Sequence, residues 1–324
     1  MQNNPVPSYR QTAESFAYVD ARGSLTAETI GIAQAAFKTD GAVHIGNTEV
    51  TSAEQLLPLL AALGFGADEQ FTGGGRTAAA WQQKWAAPGL RRLDFYPPHL
   101  YLLPNGEIHY QRVFPQRILF YCQRPANAGG RTYIHSAKAL QRQLARTATG
   151  RQLLEKLAQH GLMIETGFLD ANHPGKSKNY HQSWQERFRS DNKVEALAAA
   201  QAQSDEYDSC WWQENSGYST LMTRLVLPAF VAAPDGEEYM RFPRIAMDAA
   251  EFHNGYRRFP LGNGVELSDT EKMLLRSAYL QTQSGYDWQR GDIILMDNIR
   301  CAHSREPFTG PRDVWLGMAG KARI

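Results

Sequence analysis

The chain has 324 residues, 43% hydrophobic and 11% aromatic, enough apolar material for a large core in one domain. Thirty-four Lys and Arg against 33 Asp and Glu give a formal charge of +1 with no long basic run, which excludes an electrostatic footprint for nucleic acid or a membrane surface and leaves small molecules as expected ligands. Met1-Gln-Asn-Asn-Pro5 lacks the basic and apolar regions of a signal peptide, and no apolar stretch reaches membrane-spanning length, so a cytoplasmic location is expected.

The first predicted element is an amphipathic helix over 24–40, opened by Ser24 or Thr26 and closed near Gly41, followed by a short strand, Ala42–Gly46. Thr51-Ser-Ala-Glu54 has capping-box spacing for a second helix through about Leu63. The glycines of Phe71-Thr-Gly-Gly-Gly-Arg76 suggest a phosphate cradle, but no Lys-Ser/Thr pair follows and no helix opens there, so the segment reads as a polar loop. Strand-like runs lie at 99–103, 107–113, 117–123 and 131–135. Asn105-Gly106 between the first two is a strong two-residue hairpin signal, in which Asn105 would serve a turn that needs φ > 0.

Helical periodicity covers 136–160 and 191–203. Between them, 168–190 is rich in His, Pro, Gly, Lys and Asn and reads as a lid or substrate loop carrying His173 and His181. Trp184, Trp211 and Trp212 either frame a substrate pocket or belong to the core. Strands are expected at 206–213, 217–222, 226–233 and 237–247, then a helix near 268–283 opened by a second capping box, Ser268-Asp-Thr-Glu271, then strands at 291–297 and 313–319. Many short strands with helical inserts argue for a mainly β sandwich with flanking helices. Cys122, Cys210 and Cys301 are odd in number and far apart, which predicts free thiols rather than disulfides.

The run Gly291-Asp-Ile-Ile-Leu-Met-Asp297 reads as an interior strand that delivers His303 at its end and, nine positions on, Arg312. An imidazole fixed by a sheet suits a metal, and a guanidinium on the next strand suits a carboxylate gripped by two parallel hydrogen bonds. A metal beside a carboxylate suggests an organic-acid cosubstrate.

From Asp297-Asn298 through His303-Ser-Arg305-Glu-Pro-Phe308 to Gly310-Pro-Arg312, this end of the chain resembles the signature of the TauD/TfdA-like Fe(II)/2-oxoglutarate dioxygenases. The likeness is strongest to the branch that includes the syringomycin-pathway aspartate hydroxylase. Further pieces follow in family order: Pro115-Gln-Arg-Ile-Leu-Phe-Tyr-Cys122, Gly129-Gly130-Arg131-Thr132, Ser183-Trp184-Gln185-Glu-Arg-Phe188 and Phe259-Pro-Leu-Gly-Asn-Gly264. The resemblance implies a double-stranded β-helix, or jelly roll, of the clavaminate synthase-like kind. It also implies one domain over 1–324, with N-terminal elements in 1–70 packed on the barrel and a helical and loop insert over 136–205.

The same resemblance implies Fe(II) and 2-oxoglutarate as cofactors, with Glu107 and His303 as iron ligands and Thr132 and Arg312 on the distal carboxylate of 2-oxoglutarate. The family's first iron ligand, a His two residues before the carboxylate, falls on Asn105. Ser304 replaces the usual Gly, and Arg131 stands where the family more often has Glu. An amide oxygen is a weaker donor than imidazole, so loose iron binding is expected.

Glu107 and His109 share one face of the predicted 107–113 strand, which makes His109 a candidate for the missing nitrogen, with a hydrogen-bonded inward His as the alternative. Arg131, Trp184 and Arg305 are candidate substrate contacts. Their alternatives are a solvated Arg131, a core Trp184 and an Arg305 paired with Glu306 at the surface. Asp297 and Asn298 are expected to hydrogen-bond loops around the site.

The family branch implies hydroxylation, desaturation or cyclisation of an amino acid or natural-product intermediate in secondary metabolism, the substrate sometimes tethered to a carrier protein. Asn105 keeps two alternatives open. One is a member with a lost or altered iron site that runs metal-independent or cofactorless oxidation in the same pocket, and the other is a non-catalytic relative that binds a metabolite or carrier protein. The absence of a Gly-x-Ser-x-Gly elbow and of Cys-x-x-Cys or His-Glu-x-x-His patterns disfavours hydrolase and zinc chemistry.

Overall fold

The computed structural model describes residues 16–52, 54–65, 85–87, 90–92, 97–175, 182–215, 217–242 and 256–324. A seven-stranded sheet runs in the order β1 (Ala17–Asp20), β2 (Ala42–Gly46), β16 (Ile293–Asp297), β6 (Val113–Arg124), β19 (Asp313–Arg323), β4 (Leu90–Arg92), β3 (Trp85–Ala87). A four-stranded sheet has the order β15 (Gln283–Tyr286), β8 (Thr132–Ser136), β17 (Cys301–Arg305), β5 (Leu102–Asn105). A third sheet is β10 (Ser209–Asn215), β11 (Tyr218–Leu227), β9 (Leu162–Phe168), β14 (Tyr256–Arg258). Two small pairs complete the set: β12 (Phe230–Ala232) with β13 (Glu238–Met240), and β7 (Ala128–Gly129) with β18 (Phe308–Thr309).

The apolar run in β16 is continuous because both faces of the large sheet are covered. On one face Ile293 and Leu295 join Val43, Ile45, Leu119 and Tyr121 beneath α1 (Ala27–Asp40) and α2 (Leu57–Ala62). On the other, Ile294 and Met296 join Ile118, Phe120 and Leu316 and look toward the four-stranded sheet. Two ring contacts fix how the sheets face each other: Phe120 of β6 lies 4.9 Å from His303 of β17, and His44 of β2 lies 4.9 Å from Tyr286 of β15. The result is a jelly roll whose site lies between β6 and the β17–β5 pair.

Local chemistry set most helix ends as expected. The Thr29 N–H donates to the Thr26 hydroxyl at 3.1 Å, which selects Thr26 over Ser24 as the start of α1, and Gly41 closes it at φ 77°. The Ser268–Glu271 capping box forms at the start of α7 (Asp269–Thr282). At the second helix Gln55, not Glu54, reaches back to the Thr51 and Ser52 N–H groups, and a 3-10 turn precedes α2. The predicted 136–160 helix is two helices, α3 (Ala137–Ala145) and α4 (Ala148–His160), capped by Ser136 and Thr147. Gly150 permits that break, since a Cβ there would lie 1.9 Å from the Leu144 carbonyl. The expected 191–203 helix is α6 (Lys193–Gln201), and part of the expected loop forms α5 (Trp184–Phe188) with its own capping box from Ser183 and Glu186.

Strands β9 and β15 form where none was expected, and the expected 107–113 strand begins only at Val113. The Phe71–Arg76 loop, His181 and residues 243–247 of the expected 237–247 strand lie outside the described residues. Cys122 and Cys301 are buried free thiols, and Cys210 is a free, half-buried one. Among the described residues no helix is long and apolar enough to cross a membrane.

Candidate active site

His303 does not stand at the end of the 291–297 strand. After β16 the chain turns, with the Ile299 and Arg300 N–H groups donating to Asp297 Oδ1 at 2.9 and 3.2 Å, and crosses to the opposite sheet as β17. There His303 sits opposite Asn105 of β5 on one side and Ile134 of β8 on the other. The Asn105 amide lies 3.0 Å from His303 Nε2, and Glu107 Oε2 lies 3.9 Å from the same nitrogen. Asn105 and His303 are each 6% exposed, so the three side chains meet in a largely desolvated spot.

Asn105-Gly106 is not a hairpin turn. Asn105 ends β5 in register with His303, and the left-handed residue nearby is Ile108, at φ 60°. Gly106 is needed for a different reason: a Cβ there would come within 2.2 Å of the His109 ring. A β-branched residue in the left-handed region is strained by about 1–3 kcal/mol and persists only where its surroundings over-determine it.

Asn298 supplies that constraint. Fully buried, it accepts the Glu107 N–H at 2.8 Å and donates to the carbonyls of Glu107 at 2.9 Å and Pro115 at 2.7 Å. Arg241 adds bonds from Nη2 to the carbonyls of His109 and Gln111.

His109 lies in this turn, not on a strand, so the alternation that paired it with Glu107 does not apply. Its Nε2 donates to the Asn298 carbonyl at 2.6 Å, and its Nδ1 accepts the Phe242 N–H at 3.2 Å. Both nitrogens are committed to backbone, so His109 does not supply the missing nitrogen. Burial, aided by the Arg241 charge, holds it well below the usual histidine range.

The carboxylate-binding candidates lie along one stretch. Thr132 of β8 pairs with Arg305 and shares a sheet face with His303, so strand geometry separates their Cα atoms by about 8 Å. The Thr132 hydroxyl accepts the Trp288 indole N–H at 2.9 Å. Arg312 packs its guanidinium 5.5 Å from the Phe308 ring centre and against Gly130, two residues before Thr132, where a Cβ would lie 3.3 Å from Arg312 Nε. The Arg312 charge also reaches Cys122, whose thiol burial nevertheless pushes up to about 12.

Three other candidates have structural partners. Arg131 forms a fork on Asp287 at 2.8 and 3.0 Å, so its charge is answered by the protein's own carboxylate rather than held for a substrate anion. Arg305 is buried, and its Nη2 donates to the carbonyls of Pro97 at 2.7 Å and Leu100 at 3.0 Å. It fastens the 97–100 segment, and its bond to Glu306, at 3.2 Å, is to the carbonyl rather than the carboxylate. Trp184 is 3% exposed among Phe168, Phe188 and Leu221, edge-on to Trp212 at 5.1 Å, and is core rather than a substrate contact.

Sequence reasoning missed the partners of Ser304. Its hydroxyl lies 2.8 Å from His135 Nε2 and 3.0 Å from the Tyr101 hydroxyl, wholly buried behind the His303 strand. The only signal was a Ser where the resemblance led to Gly. Burial pushes His135 down to about 3.

Among the described residues no three His, Cys, Asp or Glu side chains cluster as a metal site. The centre offers one imidazole, one carboxylate and one amide. The family model described as "Taurine catabolism dioxygenase TauD, TfdA family" matches residues 7–318. The chain is 26% identical over 255 residues to the dapdiamide synthesis protein DdaC of Enterobacter agglomerans, covering 73% of this chain and 71% of that protein. It is also 26% identical over 236 residues to a clavaminate synthase-like protein of Arabidopsis thaliana, covering 68% of this chain and 66% of that one. The crystal structure of AAD-2 in complex with Mn(II) and N-oxalylglycine shares the fold, with a TM-score of 0.52 at 12% identity over 98% of each chain.

Proposed function

The chain belongs to the TauD/TfdA family of Fe(II)/2-oxoglutarate-dependent, dioxygenase-type oxidoreductases, and from that premise we propose that it binds 2-oxoglutarate and oxidises an amino acid or natural-product intermediate. The outcome would be hydroxylation, desaturation or cyclisation, with the substrate free or carried on a carrier protein. The observation that carries this reading is the meeting of Asn105 and His303, on the sheet face that also presents Thr132, with Glu107 from the adjoining turn. A relative named for dapdiamide synthesis supports a biosynthetic setting.

Arg312 offers planar donors to a distal carboxylate. Thr132, whose oxygen already accepts from Trp288, has its own hydroxyl proton left to donate to the same group. Glu107 is fixed at its backbone by Asn298, which aims its carboxylate toward His303.

The residues do not fit the family's two-imidazole, one-carboxylate iron centre. The third position is an amide within hydrogen-bond distance of the His303 nitrogen that faces the centre. That contact favours a second reading, in which the iron site is altered and the protein oxidises without metal or binds without turnover. Turnover that survives exhaustive chelation would favour it.

For the main reading, 2-oxoglutarate should raise the melting temperature of the wild type. Arg312→Leu should weaken that binding about 10- to 100-fold, the loss expected for a charged hydrogen-bonded fork. A wild type that 2-oxoglutarate does not stabilise, and that forms no succinate with any amino-acid substrate, would end it.

A further inference from the structure

We propose that Tyr101, Ser304 and His135 are positioning residues of the site, a hydrogen-bonded chain on the outer face of the four-stranded sheet that holds His303 and Asn105 at their 3.0 Å contact on the inner face. The first support is which strands the chain joins. Ser304 follows His303 on β17, His135 lies on β8 with Thr132, and Tyr101 immediately precedes β5, which ends at Asn105. The Ser304 hydroxyl lies 2.8 Å from His135 Nε2 and 3.0 Å from the Tyr101 hydroxyl. One small side chain thus ties together the three strands that carry the site. Side chains alternate across a strand, which puts Ser304 and His135 on the face opposite His303.

The second support is where the tie falls. His303 pairs with Asn105 but Arg305 pairs with Leu102, so two steps along β17 answer three along β5, and Ser304 sits at that irregularity. Leu103 and Pro104 lie across from it, and Pro104 has no N–H to give to a ladder. A bulge of this kind bends its strand and re-aims the side chain beside it, here Asn105. The Tyr101–Ser304 bond spans the interrupted ladder and closes the start of β5 onto β17.

The third support is the chemistry of the middle residue. Ser304 and His135 are wholly buried, and burial keeps the His135 ring neutral. A hydroxyl donates one hydrogen bond and accepts at the same oxygen, so Ser304 completes the chain in either direction, from Tyr101 to His135 or the reverse. Glycine, the residue to which the family resemblance led at this position, would strand the buried imidazole nitrogen and the phenol. Away from water such bonds are stronger, and they fix the pitch of the strands they join.

This inference rests on the proposed function only for its turnover measurement. The placement of His303 is read separately, from the imidazole nitrogen resonances of the full chain labelled with heavy nitrogen at its histidines, at about pH 9, where ordinary imidazoles are neutral. Asn105→Ala marks the shift of a His303 that has lost its amide partner. Ser304→Ala should carry the His303 signal most of the way to that mark, and Tyr101→Phe should carry it in the same direction. Tyr133→Phe removes a hydroxyl from the same outer face, opposite Ser304 but bonded to Glu306, and should leave the signal in place.

Succinate formation from 2-oxoglutarate should fall about tenfold or more in Ser304→Ala, since a misplacement of about 1 Å can cost about 100-fold. KM for 2-oxoglutarate should stay near the wild-type value, because Thr132 is held by Trp288 and Arg312 packs on Phe308. A His303 signal unmoved in both Ser304→Ala and Tyr101→Phe, equal movement in Tyr133→Phe, or unchanged turnover in a variant whose His303 has moved would overturn the proposal. A wild type that forms no succinate while the signals move as expected counts against the functional reading and upholds the positioning.

Discussion

His109 and His303 are both buried imidazoles close to Glu107, and in sequence either serves as a nitrogen donor. They differ in where their nitrogens point. Those of His109 end on backbone groups of Asn298 and Phe242, so its ring is a strut for the turn that carries Glu107. His303 Nε2 instead meets two polar side chains, Asn105 and Glu107, brought from another strand and its turn. A histidine with backbone partners holds a loop, and one that meets polar side chains at a common point can serve a ligand.

The strongest way to break this contrast is to remove the joint between the two. Asn298→Ala leaves the Glu107 N–H and the Glu107 and Pro115 carbonyls without their partner. At about 1–3 kcal/mol for each buried polar group stranded, a loss of about 3–5 kcal/mol in urea unfolding is expected. A loss under about 1 kcal/mol would mean the strained Ile108 turn stands without it.

The contrast is tested directly by placing the same apolar ring at each histidine. His109→Phe strands the Asn298 carbonyl and the Phe242 N–H and should lower stability by about 2 kcal/mol while keeping turnover. His303→Phe should lower stability by about 1 kcal/mol or less and abolish turnover. A reversed pattern would exchange the two assignments.

Legibility in the sequence followed the range of the interaction concerned. Thr26, Gly41 and the Ser268–Glu271 box were readable because capping is settled within one turn of chain. Strand β17 was hidden, because Cys-Ala-His-Ser-Arg is buried throughout by partners far away in sequence, among them Asn105, Tyr101 and His135. The Asn-Gly pair misled for the same reason: Gly106 answers to the ring of His109, and Asn105 to the strand opposite. Glu107 and His303 could be named from the order of motifs along the chain. The duty of His109 could not, because its partners Asn298 and Phe242 are brought to it only by the fold.

His135 sharpens the comparison through pH. Its ring is wholly buried against Ser304 and Tyr279, and its folded value is about 3 against an ordinary value near 6.5. Above that ordinary value neither state carries the proton. Below it the unfolded chain binds a proton the fold refuses, so stability falls as pH drops from 6.5 toward 3, by about 1.4 kcal/mol per pH unit for this one group. His109, also held low, acts in the same direction. His135→Phe should flatten urea-derived stability between pH 6 and 4.5 by about that slope, and an unchanged slope would show that His135 takes up its proton without unfolding.

The smallest effect is expected where the same test is applied to a charge. Arg131 lies next to Thr132 in sequence, but strand alternation turns it to the other face, where Asp287 holds it in a fork and Glu306 stands 3.8 Å away. Arg131 is about one-third exposed and Asp287 nearly two-thirds, so solvent screens the pair and its net contribution is below about 1 kcal/mol. Arg131→Met should therefore lower stability by less than about 1 kcal/mol and leave 2-oxoglutarate binding within about twofold of the wild type. Loss of cosubstrate or substrate affinity in that variant would show that the Asp287 fork opens to receive an anion, and would move Arg131 from the class of His109 to that of His303.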